Sequence, residues 1–127
     1  MALIVVIEES PLMRPAVRDL LQLEGHTVLT SGNVQEALGL LEGIFGVDLV
    51  IANMGMPEMD GASLVERVRA TSGYQAVPIL MWTFNEDRQA VQRVVDAGAN
   101  DCLVRPFTVD GLTGAVRRML HVPEVAA

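Results

Sequence analysis

Asn53 is the residue whose position says most about chemistry, because it ends the apolar run of DLVIAN at residues 48–53. A short unbroken apolar run is typical of a buried parallel strand, and open α/β sheets place ligands and chemistry at the carboxyl ends of such strands. An aspartate at this position can accept a phosphoryl group through a carboxylate oxygen. The amide of asparagine has a delocalised nitrogen lone pair and no full charge on its oxygen. The sequence therefore indicates a site laid out for an acidic nucleophile that residue 53 does not supply.

Polar side chains also follow three other apolar runs. Glu8 and Glu9 follow LIVVI, Thr83 follows VPILMW, and Arg105 and Pro106 follow DCLV. Because the carboxyl ends of parallel strands lie at one edge of a sheet, we expect these residues to lie near one another. The first of these loops, EESPLM, lacks the glycines that let backbone amides approach a phosphate, so the sequence does not indicate a nucleotide-binding loop.

The elements that must position these residues alternate along the chain. The predicted strands are residues 3–7, 26–30, 48–53, 77–82 and 101–104. Each is followed by a stretch whose apolar residues recur at the three- and four-residue spacing of an amphipathic helix. Five strands alternating with five helices predict a three-layer α/β sandwich with a parallel sheet and right-handed crossovers. The alternation alone leaves the strand order open, because flavodoxin-like and Rossmann-like sheets share it.

Local signals set the expected ends of the helices. Ser10 before Pro11 predicts an N-cap with proline at the first helical position. Pro15 removes one backbone donor in the second turn and is expected to distort the entry of that helix. The apolar stripe of the second helix extends to Phe45, and Asn85 is expected to cap the fourth helix.

Composition bounds the class of protein. The 127 residues are enough for one domain with its own core, which we place at residues 1–121, with a short tail at 122–127. A net charge of −7 opposes nucleic-acid binding, and no apolar stretch approaches the roughly 20 residues of a membrane helix. Cys102 is the only cysteine, which excludes an internal disulfide, and no signal-peptide pattern is present. The expected location is the cytoplasm.

The residues at the strand ends, together with the loop MPEMDG after Asn53, resemble the receiver domain of bacterial two-component response regulators over essentially the whole chain. The resemblance implies a flavodoxin-like (βα)5 sandwich with strand order 2-1-3-4-5 and a pocket between the first and third strands. In that family two acidic residues and a phosphoacceptor aspartate hold Mg²⁺, and a Thr or Ser and a Lys before a cis-proline contact the phosphoryl group. The resemblance carries these roles to Glu8, Glu9, Asn53, Thr83, Arg105 and Pro106.

The chain departs from the family pattern at these same positions. Asn53 removes the carboxylate nucleophile, and Glu8 and Glu9 stand where the family has aspartates. Mg²⁺ requires near-octahedral oxygen geometry, so longer ligands and a neutral amide predict weak Mg²⁺ binding at most, through Glu8, Glu9 and Asn53. With Arg105 included, the pocket carries one net negative charge rather than the two of the family pattern.

Three further departures surround the pocket. Arg105 replaces lysine with a planar fork, so we expect it to pair with Glu8 or Glu9, with an exposed arginine beside a turn as the alternative. Phe84 stands where the family has a small residue, and its ring either covers the pocket or packs against the fourth helix. Cys102 replaces a family aromatic and is expected to be an inert apolar side chain rather than a redox thiol.

These departures favour a degenerate receiver that is not an enzyme, is not phosphorylated on residue 53, and acts in a two-component or phosphorelay pathway through protein partners. The resemblance places the partner surface on the fourth helix, fifth strand and fifth helix, near Arg88, Gln92, Cys102 and Arg117. A homodimer through this face is the alternative to a partner protein.

Two other functional hypotheses remain. The first is a phosphorylatable regulator that uses a deamidated Asn53 or another acceptor, although Met54 in place of a following glycine hinders deamidation sterically. The second is a small-ligand module of the same fold, for which the sequence offers no phosphate-binding loop.

Overall fold

The structure, a computed structural model, describes residues 1–83, 87–104 and 108–121. Within these ranges ten elements alternate between strand and helix. The strands are β1 (Leu3–Ile7), β2 (Thr27–Ser31), β3 (Leu49–Asn53), β4 (Ile79–Thr83) and β5 (Asp101–Val104). The helices are α1 (Met13–Leu23), α2 (Val34–Gly43), α3 (Gly61–Ala70), α4 (Arg88–Ala97) and α5 (Val109–Leu120).

The five strands form one parallel sheet in the order β2-β1-β3-β4-β5. The chain moves outward from β1 to β2 and then returns to the other side of β1, so the crevice of the fold lies between β1 and β3. The register pairs Ile7 with Ala52 and Asn53 with Trp82, which brings the ends of β1, β3 and β4 level. The predicted three-layer sandwich and its strand order are confirmed.

Apolar side chains cover both faces of the sheet. Helices α1 and α5 pack on one face, with Val17, Leu21, Leu112, Ala115, Val116 and Met119 against Ile4, Val6 and Ile51. Helices α2, α3 and α4 cover the other face. Every residue of β3 and β4 is buried, which explains why these strands read as continuous apolar runs. Among the described residues, no helix is long and apolar enough to span a bilayer.

The start of α1 differs from its prediction. The Ser10 hydroxyl accepts hydrogen bonds from the backbone N–H groups of Leu12 and Met13, at 3.3 and 3.0 Å, and its carbonyl accepts from Arg14 N at 3.0 Å. Ser10 therefore caps the chain as it enters the helix, but the helix itself begins at Met13. Pro15 consequently lies in the first turn rather than the second, where a backbone N–H has no intrahelical partner, so Pro15 removes no hydrogen bond of the helix.

Two other predictions about helix ends are wrong. Phe45 lies beyond the end of α2 and is 94% exposed, so it is not part of the buried stripe. The cap of α4 is Asp87, whose carboxylate accepts from Gln89 N at 2.9 Å. Asn85, which the sequence favoured as the cap, lies outside the described residues.

Arg69 at the end of α3 connects the segments that precede β4 and β5 with the carboxyl end of α4. Its guanidinium donates to the carbonyls of Gly98 (3.2 and 2.7 Å), Tyr74 (2.9 Å) and Val77 (2.5 Å), and to Oδ1 of Asn100 at 3.0 Å. All five N–H donors are used. The cation lies at the carbonyl end of α4, where the helix dipole favours positive charge. Burial nonetheless lowers the pKa of Arg69.

Candidate functional site

The carboxyl ends of β1, β3 and β4 hold the predicted pocket residues that the structure describes. Glu8 is 1% exposed, Asn53 8% and Thr83 6%, whereas Glu9 is exposed. Polar groups so deeply buried need hydrogen-bond partners, since leaving one unpaired costs roughly 1–3 kcal/mol. The remaining predicted pocket residues, Phe84, Arg105 and Pro106, lie outside the described residues.

Glu8 and Asn53 contact each other directly. The Asn53 side-chain nitrogen Nδ2 lies 3.2 Å from Oε1 and 3.0 Å from Oε2 of Glu8, so the amide donates to the carboxylate. Oε2 also accepts from the backbone N–H of Ser10 at 3.2 Å. The predicted pair of Glu8 or Glu9 with Arg105 stays a prediction, but both oxygens of Glu8 already have partners.

The orientation of the Asn53 amide is fixed from both sides. Its oxygen Oδ1 accepts from the backbone N–H of Gly55 at 2.7 Å, and its nitrogen faces the Glu8 carboxylate. A half-turn of the amide would set oxygen against carboxylate and NH₂ against N–H. Each of these contacts is repulsive, so the described orientation is strongly preferred.

Arg14 is a cation of the site that the sequence reasoning missed. Its Nη1 donates to the carbonyl of Glu8 at 2.9 Å and to that of Glu9 at 3.3 Å. The guanidinium occupies the space over Gly32, where a side chain would collide with it. Arg14 thus fixes the backbone that carries the acidic pair. The sequence signal that could have identified Arg14 was its position in the first turn of the helix that follows Glu8 and Glu9.

A groove lies beside the Glu8–Asn53 pair, between the loop after β3 and helix α4. It has a volume of about 550 Å³ and is lined by Met54, Gly55, Asp60, Gly61, Ala62, Thr83, Ala90, Arg93 and Val94. Asp60 caps α3 by accepting from the backbone N–H and the hydroxyl of Ser63, both at 2.9 Å, and these bonds lower its pKa. Thr83, at the end of β4, and Met54, directly after β3, both line this groove.

Cys102 packs under α4 against the loop that carries the site. Its Sγ lies 3.4 Å from Sδ of Met54, and its side chain belongs to the edge of the core on the α2, α3 and α4 face. Burial, together with the charge of Asp101, raises the pKa of the thiol to about 11. The thiol is therefore protonated near neutral pH, in line with an inert side chain and against a redox role.

The residues assigned to the interaction face lie on two different sides of the molecule. Arg88 and Gln92 are exposed on α4, where Gln92 Nε2 donates to Asp96 at 2.8 Å. Arg117, in contrast, pairs with Glu24 at the end of α1 and so faces away from α4. Arg118, the next residue of α5, lies 3.8 Å from Asp101 of β5.

A metal cluster is not evident in the described ranges. No three His, Cys, Asp or Glu side chains among those residues are arranged to hold a metal ion. The set expected for Mg²⁺ contains two glutamates and the amide of Asn53, whose nitrogen faces one of them.

Fold and site together define a flavodoxin-like α/β domain with a polar crevice at the ends of β1 and β3. Residues 4–117 match the family model of the response regulator receiver domain. The chain belongs to this family.

Individual relatives agree. A chemotaxis protein CheY homolog of Campylobacter jejuni is 36% identical over 106 residues, which cover 83% of this chain and 82% of that protein. The structure of the chemotaxis response regulator CheY4 of Vibrio cholerae superposes with a TM-score of 0.88 at 32% identity, covering 94% of this chain and 99% of that one.

A third similar structure bears on metal binding in the family. The receiver domain of the sensor histidine kinase PA1611 of Pseudomonas aeruginosa superposes with a TM-score of 0.85, covering 95% of this chain and 98% of that one. Its structure has a magnesium ion coordinated in the active-site cleft. At 24% identity this likeness shows the shared fold alone.

Proposed function

We propose that this chain is a degenerate receiver that signals through protein contacts and is not phosphorylated on residue 53. The single observation that carries the proposal is the buried Glu8–Asn53 contact, in which an amide occupies the place of the family nucleophile. An amide nitrogen is not nucleophilic. Positioning and electrostatic stabilisation cannot promote phosphoryl transfer to residue 53 when that residue offers no acceptor group. The chain also contains no lysine, since all nine basic residues are arginines.

Deamidation is disfavoured as a route back to an acceptor. It requires the backbone nitrogen of Met54 to attack the Asn53 side-chain carbon. That N–H donates to the carbonyl of Trp82 at 2.8 Å, and the Asn53 amide is held at both ends. Reaching the reactive geometry would break these bonds, which supports an asparagine that persists.

Intact-mass measurement tests the proposal. The chain is incubated with acetyl phosphate and Mg²⁺, with a phosphorylatable receiver treated in parallel as the positive control. We expect no mass increase corresponding to a phosphoryl group, and peptide mapping is expected to find asparagine at residue 53. A stoichiometric, acid-labile phosphate on this chain, or aspartate at residue 53, would refute the proposal.

The face formed by α4, β5 and the β5 side of α5 is the proposed docking surface. It presents Arg88, Gln92 and Arg118, all exposed, over an edge strand whose four residues are only partly buried. We infer a cytoplasmic, non-enzymatic chain whose partner is another protein of a two-component or phosphorelay pathway. A second copy of the chain is the other occupant to be tested, because a strand at the sheet edge has one unpaired side.

Sedimentation velocity distinguishes the two occupants. If a second copy uses this face, the wild-type chain sediments as a dimer at high concentration and the double variant Arg88→Glu, Arg118→Glu as a monomer. Arg67→Glu on the exposed part of α3 is the control and leaves the state unchanged. A dimer that survives the double substitution would exclude this face as the dimer interface.

A further inference from the structure

The receiver family implies a divalent cation at this site, and the donor set of this chain does not fit one. A cation in the crevice needs oxygen atoms directed at it. The only side-chain oxygen of Asn53 is turned away to Gly55 N at 2.7 Å. What faces Glu8 is the Nδ2 group, a pair of N–H donors.

The same amide satisfies the buried carboxylate that a cation would otherwise neutralise. Glu8 is 1% exposed, and Nδ2 lies within 3.2 Å of both of its oxygens. A hydrogen bond to an ionised carboxylate is about twice as strong as one between neutral groups. The contact also continues through Oδ1 to Gly55, so one side chain links β1 to the loop after β3.

We propose that the Asn53 amide acts as a built-in substitute for the divalent cation, so that Glu8 and the loop after β3 hold a single arrangement whether or not Mg²⁺ is present. The inference rests on the proposed function and adds the mode of regulation of the same site. The arrangement of the site is then constitutive, without a metal-dependent or phosphorylation-dependent step. Asn53 is a positioning residue in this description.

Binding of a cation would require three losses at once. The amide would have to make its half-turn, Gly55 N–H would lose its acceptor, and Glu8 would exchange its N–H donors for the ion. Mg²⁺ also gives up bound water reluctantly, which favours sites with several preformed carboxylates. Glu9 is exposed and is the only other predicted ligand among the described residues.

The wild-type chain provides the first test. Its ¹⁵N-labelled form is titrated with MgCl₂, and with NaCl at matched ionic strength because surface charges respond to salt in general. We expect the amide signals of Glu8, Asn53 and Gly55 to move equally in the two salts, and Mn²⁺ to broaden none of them selectively. Saturable, Mg²⁺-specific shifts at these three residues would overturn the inference.

The variant Asn53→Asp provides the second test, with Asn33→Asp as the matched control. Both changes replace one amide oxygen acceptor by a carboxylate, but Asn33 is an exposed cap of α2. In Asn53→Asp a second carboxylate faces Glu8, so we expect a lower Tm without Mg²⁺. With Mg²⁺ we expect the Tm to increase by several degrees and to keep rising with the logarithm of the Mg²⁺ concentration above its Kd, by ligand linkage. Asn33→Asp is expected to respond like wild type.

Wild type and variant together separate the outcomes. If Asn53→Asp has the same Tm as wild type without Mg²⁺, and its Tm does not change when Mg²⁺ is added, the Asn53 amide does not substitute for a cation. If Asn53→Asp does not fold without Mg²⁺, the wild-type titration alone decides. A wild-type chain that binds Mg²⁺ without being phosphorylated refutes this inference and leaves the proposed function standing, whereas phosphorylation on residue 53 refutes the proposed function.

Discussion

At the scale of single residues, Glu8 is the most constrained side chain of the site. It is a carboxylate that is 1% exposed, and its described partners are the amide of Asn53 and the N–H of Ser10. Removing one partner from a buried charged group costs more than the mean worth of the hydrogen bond, because the group left behind is not resolvated.

The variant Asn53→Ala measures this dependence. It deletes the donors to Glu8 and the acceptor for Gly55 N–H, so we expect the free energy of unfolding to fall by about 1–3 kcal/mol. Urea denaturation at neutral pH gives the value. Glu9→Ala serves as the control because Glu9 is exposed, and it is expected to change stability little. Equal effects of the two substitutions would contradict the assigned contact.

Cys102 yields a prediction about reactivity and pH. A pKa of about 11 against the usual 9.0 lowers the thiolate fraction at neutral pH by about 100-fold, so alkylation by iodoacetamide is expected to be correspondingly slow in the folded chain and fast in urea. Because the pKa of Cys102 is higher in the folded chain than in the unfolded chain, the unfolded chain loses the thiol proton first as the pH rises. The contribution of the protonated thiol to the free energy of unfolding is therefore fully present below pH 9 and is lost as the pH rises from about 9 towards 11. Cys102→Ser removes that thiol-dependent part of the alkaline loss.

At the scale of elements, Arg69 connects α3 and the end of α4 with the segments that lead into β4 and β5. Arg69→Met retains most of the stem but leaves the carbonyls of Tyr74, Val77 and Gly98 without their donors. We expect a loss of about 2–3 kcal/mol in the free energy of unfolding, measured by urea denaturation. The matched control is Arg67→Met on the exposed side of α3, which is expected to be nearly neutral. Similar losses for both would show that Arg69 is not a structural clamp.

Helix α4 is expected to be the most easily opened helix among the described ranges. Only Val94 of its ten residues is buried, whereas α3 buries Gly61, Leu64, Val65 and Val68. Hydrogen exchange followed by mass spectrometry is therefore expected to show residues 88–97 exchanging at least about tenfold faster than 61–70, a difference of about 1.4 kcal/mol in opening free energy. Equal protection of the two helices would contradict this order.

The elements were predictable where the physics is local or repetitive. Continuous apolar runs indicated β3 and β4 because both faces of these strands are buried. Gly98 ends α4 with a φ of +122°, a backbone conformation that favours glycine. Phe45 was misplaced because periodicity does not reveal where a helix stops. The Glu8–Asn53 bond was not predicted because it joins residues far apart in sequence, and its amide orientation depends on Gly55.

At the scale of the whole molecule, the net charge opposes one class of partner, nucleic acid. The chain carries a net charge of −7, and a protein that binds DNA must neutralise phosphates with its own cations. A gel-shift assay with duplex DNA at low salt, where electrostatic attraction is strongest, is expected to show no complex. The control is the same DNA with a basic protein of similar size. A retarded band that disappears as salt increases would contradict the expectation.

The Glu8–Asn53 contact also has an evolutionary consequence. A single change of Asn53 to aspartate would set two carboxylates side by side in a place where Glu8 is 1% exposed, and would remove the donors that Glu8 relies on. The first step towards phosphoryl chemistry therefore passes through a less stable protein unless Glu8 changes as well or a cation is recruited. Each residue of the contact thus makes replacement of the other destabilising, which favours retention of the asparagine once the contact has formed.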